Sequence, residues 1–115
     1  MIAVVKRVGF KPEIVDVEDS LVKLQAIVGG YLESVLEFKA PGTGFAIVCY
    51  ANEEGKIHAL PFNFNRMGDR EPICGDVVFV GIINGEQVPL ALETADQLVR
   101  LITTHSPQTD CELTS

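Results

Sequence analysis

Phe45-Ala46-Ile47-Val48-Cys49-Tyr50-Ala51 runs for seven residues without a charge. A strand with one wet face alternates apolar and polar residues, whereas one buried on both faces is apolar at nearly every position. The run therefore predicts an inner strand of a sheet, near its centre. Asn52-Glu53-Glu54-Gly55 follows as a turn, and residues 56–60 read as the returning strand of a hairpin. On the other side, Ala40-Pro41-Gly42-Thr43-Gly44 reads as a loop and residues 31–38 as a further strand.

The same reading extends to both ends of the chain. Residues 2–8 and 13–17 are two short β-branched strands, turned by Gly9, Lys11 and Pro12. Ser20 is placed to cap a helix in which Leu21, Leu24, Ile27 and Val28 recur at helical spacing. Gly29-Gly30 ends that helix. Residues 61–72 form the longest irregular stretch, and residues 76–83 are again a β-branched strand. Asn84-Gly85 then signals a tight hairpin with residues 87–90 returning, because both residues tolerate positive φ. Thr94 and Gln97 have the spacing of a capping box, and Leu98, Leu101 and Ile102 supply the stripe of a second helix. The sum predicts an α+β fold: a mostly antiparallel sheet with two short helices packed on one face. One domain over residues 1–103 is expected, with a polar, flexible tail over 104–115.

Composition narrows the function classes. Sixteen Asp and Glu against nine Lys and Arg leave a net charge of −7, which disfavours unaided binding to a phosphate backbone. The acids are scattered, so solubility explains them better than mimicry of DNA. Three cysteines at wide spacing, Cys49, Cys74 and Cys111, offer no zinc pattern and fit a reducing compartment. The first ten residues have too short an apolar run for a signal peptide, and no stretch approaches the roughly 18 apolar residues of a membrane span. A cytoplasmic protein without membrane or nucleic-acid partners is expected.

Chemistry is sparse. Pro41-Gly42-Thr43-Gly44 lacks the lysine and following helix of a phosphate-binding loop. Cys49 lies across the predicted hairpin from His58, but a thiol in an apolar run is more often an inert core residue. No catalytic residue, metal ligand or cofactor is assigned. The better candidates are Tyr31, Glu33, Asn52, Glu53, Glu54, Lys56, Asn63 and Arg66, at strand ends and in connecting loops where binding residues collect. Asn and Arg offer paired donors and acceptors for a base, carboxylate or phosphate, and Phe62 and Phe64 offer flat faces. Against this, asparagines also satisfy turn backbones and phenylalanines also complete cores.

Four stretches in order, Val28-Gly29-Gly30-Tyr31-Leu32-Glu33, Asn52-Glu53-Glu54-Gly55-Lys56, Leu60-Pro61-Phe62-Asn63 and Ile73-Cys74-Gly75-Asp76-Val77-Val78, resemble a family of small domains of unknown function. That family is common in phages, plasmids and other mobile elements, and the resemblance covers residues 1–103. It implies no catalytic set. It implies polar motif residues at Glu33, Asn52, Glu53, Gly55, Lys56, Pro61 and Asn63, and leaves residues 64–71, with Arg66, outside the pattern. The expected function is an accessory binding module acting on a host protein or on a second copy of itself. The alternatives are a sponge for a nucleotide-like small molecule and a hydrolase using His58 with Glu53 or Glu54.

Overall fold

The structure, a computed structural model, describes residues 1–40, 42–54, 62–65 and 72–105. Among these the elements run β1 (Ile2–Lys6), β2 (Glu13–Asp16), α1 (Leu21–Val28), β3 (Leu32–Ala40), β4 (Phe45–Asn52), β5 (Phe62–Asn65), β6 (Pro72–Cys74), β7 (Val77–Ile83), β8 (Glu86–Val88) and α2 (Leu92–His105). The main sheet has the order β2-β1-β7-β4-β3, with β8 continuing beside β7. Every pairing in it is antiparallel. The predicted α+β class and antiparallel sheet therefore hold.

The chain takes this order because its two most apolar strands lie inside the sheet. In β7 the first five residues are buried, and in β4 four of eight are. Both edges of β4 are taken, by β3 and β7; the returning strand expected at residues 56–60 lies outside the described residues. The Asn84-Gly85 turn forms as expected, with φ of 48° and 86°, and joins β7 to β8.

The helices differ from expectation, because they cover opposite faces of the sheet rather than one. Val4, Cys49, Val77 and Phe79 pack with Ala95, Leu98 and Ile102 of α2. Their neighbours in the strands, Ala3, Val5, Val78 and Val80, pack with Leu24 and Val28 of α1. Successive side chains of a strand point to opposite faces, so strands apolar at every position need cover on both. A single helical layer would leave half of the apolar surface of β7 in water.

Local signals explain the helix ends unevenly. Ser20 caps α1 as predicted, its side chain accepting from the Lys23 N–H at 3.2 Å. Gly29 closes it in the left-handed conformation at φ 79°. At α2, however, the Ala95 N–H donates to the Ala91 carbonyl at 2.9 Å. The helix thus begins before Thr94, which lies in its first turn rather than at its cap. The stretch read as irregular contains β5 and ends at the first residue of β6, with which β5 pairs; the alternation Phe62-Asn63-Phe64-Asn65 is a two-residue period. Residues 106–115, most of the expected tail, lie outside the described residues. Among the described residues no helix is long and apolar enough to cross a membrane.

Candidate functional site

Two of the sequence motifs meet at one corner of the molecule, where α1 ends, β3 begins and β4 finishes. Helix α1 stops on Gly29 and Gly30, whose N–H groups both donate to the Gln25 carbonyl, at 2.8 and 3.1 Å. The chain turns directly into β3, so Leu32 pairs with Asn52 at the far end of β4. The Asn52 amide nitrogen donates to the Val28 carbonyl at 3.3 Å, and its oxygen accepts the Glu54 N–H at 2.8 Å. One side chain thus satisfies an orphan carbonyl at the helix end and shapes the following turn. The Glu53 N–H donates to the Tyr31 carbonyl at 2.8 Å, closing the corner from the other side.

With the backbone fixed there, the side chains around it face water. Tyr31 is 71% exposed, and Glu53 and Glu54 are exposed as well. Glu33 is also exposed but stands opposite Ala51, on the α2 face of the sheet. The corner therefore carries one exposed aromatic and two exposed acidic residues, with the third, Glu33, two residues along from Tyr31. Of the sequence candidates, the structure brings together Tyr31, Asn52, Glu53 and Glu54. Glu33 lies on the face opposite Asn52, which stands across from Leu32. Asn63 lies in β5 at the irregularity in its pairing with β6. Lys56 and Arg66, and with them His58, lie outside the described residues.

Several motif residues prove to be architectural. A methyl group on Gly30 would stand 2.7 Å from the Asn52 amide nitrogen, so the second glycine makes room for the asparagine. Asp76, in the Gly75-Asp76-Val77-Val78 motif, accepts the Val8 N–H at 2.9 Å and pairs with Arg7 at 3.3 Å. It ties the end of β1 to the start of β7. Cys49 is fully buried on the α2 face, and desolvation pushes its thiol pKa well up. That is the opposite of what an activated nucleophile needs.

Sequence reasoning missed a concave surface elsewhere on the molecule. A cleft of about 520 Å³ lies between β2, α1 and the end of β1, lined by Arg7, Asp16, Val17, Glu18, Lys23, Ala26 and Ile27. The lining mixes three apolar residues with two cations and two carboxylates. Lys23 and Glu18 approach at 3.9 Å, and the chain's amino terminus contacts Asp16 at 2.7 Å. No single motif marks it, because three separate segments contribute and only the β1–β2 hairpin brings them within reach.

The model of a family described as a domain of unknown function (DUF3846) matches residues 1–103. Comparison with curated proteins and with solved structures gives no match. The chain belongs to the DUF3846 family.

Proposed function

We propose that this DUF3846 chain is a non-enzymatic binding module that docks on a protein partner through its Tyr31 corner. The observation that carries the reading is the exposed Tyr31 ring on a backbone fixed from both sides, by the α1 cap and by the Glu53 hydrogen bond. An ordered, exposed aromatic loses little entropy on docking. The carboxylates of Glu53 and Glu54 beside it favour a partner surface rich in Lys or Arg, which also stacks on aromatic faces. The partner is then a host protein and the chain an accessory protein of a phage or mobile element; that setting rests on the resemblance of the motifs alone.

The test is quantitative affinity capture with the full chain as bait, comparing the wild type with Tyr31→Ser and with Glu53→Lys/Glu54→Lys. A basic protein retained by the wild type and lost from both variants supports the reading. A bound set that neither variant changes overturns it.

The cleft favours a second reading, a small-molecule sponge. Arg7 and Lys23 line it together with Val17, Ala26 and Ile27, and both of their ion pairs are exposed and therefore weak. An anionic, partly apolar ligand fits that lining. Native mass spectrometry separates the two: a mass excess lost on denaturation and absent from Lys23→Ala favours the sponge.

A further inference from the structure

Among the described residues β3 ends the main sheet, so one of its edges faces away from β4. A bulge interrupts the strand between Ser34 and Leu36, and beyond it pairing with β4 is regular from Leu36 to Ala40. Alternation over this segment separates two kinds of residue. Leu36, Phe38 and Ala40 stand opposite Cys49, Ile47 and Phe45, on the α2 face, and all three are half-buried. Glu37 and Lys39 stand opposite Val48 and Ala46, on the α1 face, and both are exposed. Among the described residues neither charge has an ion pair.

Edge strands with long apolar stretches invite pairing, and proteins usually blunt them with a lysine or a bulge. Here the bulge confines the regular edge to five residues, and the charges within it complement each other about a two-fold axis. If a second β3 lies antiparallel beside the first with Phe38 opposite Phe38, then Glu37 of each copy faces Lys39 of the other. The same register sets Leu36 opposite Ala40 twice on the other face. A one-residue slip loses both charge pairs.

We infer that Leu36–Ala40 is a self-pairing edge, through which two copies of this chain join their sheets about a two-fold axis at Phe38. Such an interface is isologous and closes after two copies, and it gains main-chain hydrogen bonds as any added strand does. The inference deepens the binding-module reading by naming a second copy as one partner. It uses the end of β3 away from Tyr31, so its failure leaves the affinity-capture test of that corner untouched.

Sedimentation equilibrium on the full chain tests it. The wild type is expected to dimerise. Glu37→Lys and Lys39→Glu each turn two attractive cross-strand pairs into repulsive ones, raising the dimer dissociation constant about tenfold. The double swap Glu37→Lys/Lys39→Glu restores wild-type association, and an equimolar mixture of the two single variants forms a heterodimer. Unchanged melting temperatures show that both exposed substitutions leave the fold intact. A wild type that stays monomeric at millimolar concentration overturns the inference. So does a dimer indifferent to both single variants, which would place the contact elsewhere.

Discussion

Asn52 spends both ends of its side chain inside the molecule, one on the α1 terminus and one on the turn after β4. Its polarity and position in a turn were readable from the chain, and they suggested ligand binding as readily as architecture. Only the approach of β4 to the end of α1, 24 residues earlier, decides between them. Replacing Asn52 with Ala should cost about 1–3 kcal/mol, because it leaves a partly buried carbonyl unsatisfied. Gly30→Ala should also destabilise, since the new methyl group displaces the amide. In the Asn52→Ala background it should cost almost nothing. A double-mutant cycle by urea unfolding measures that coupling, and additive costs would mean that the glycine serves another purpose. Cys49 gives a second residue-scale outcome. Burial raises its pKa above the ordinary 9.0, so above that pH the unfolded chain loses a proton that the folded chain keeps. This contribution to stability is complete below pH 9.0 and is lost as pH rises, by about 1.4 kcal/mol per pH unit. Urea midpoints followed into the alkaline range, with Cys49→Ala as control, should show a slope that the variant reduces.

Elements were most legible where a local rule fixes the backbone. The Ser20 cap and the Gly29 stop bound α1 as read, because capping needs only neighbours in sequence. The Asn84-Gly85 turn formed for the same reason, since a two-residue hairpin of this kind needs positive φ at both positions. Gly85 has nothing within 4 Å of where a methyl group would stand. Gly85→Ala should therefore destabilise through backbone strain alone, by about 1 kcal/mol, and Gly85→Asn should cost less. Thermal unfolding of the pair checks this; equal melting temperatures for wild type and Gly85→Ala would show that the turn relaxes. The start of α2 was misread because Thr94 and Gln97 satisfy the capping-box spacing inside a first turn as well as before one. Strand β5 was passed over because asparagines in a short alternation look like loop residues.

At the scale of the whole molecule, the two helical layers follow from the sheet. Strands β4 and β7 are apolar on both faces, so α1 and α2 must divide between them, with the aliphatic residues of each helix completing one core. The same arrangement leaves β3 as the outer strand among the described residues. It puts the Tyr31 corner at one end of that strand and the Glu37–Lys39 segment at the other. Two surfaces for two partners can therefore sit on one strand without overlapping, so self-association through the second should leave capture through the first unchanged.

By itself the sequence determined the class of fold, the inner position of residues 45–51, the boundaries of α1 and the tight turn at Asn84-Gly85. Each follows from composition or from rules that act within a few residues. Tertiary structure alone decided which sheet face each helix covers, that Asn52 latches α1, and that Arg7, Asp16 and Lys23 share one cleft. Those depend on which strands lie side by side. That order is set by the summed burial of distant segments, which no local pattern in the chain encodes.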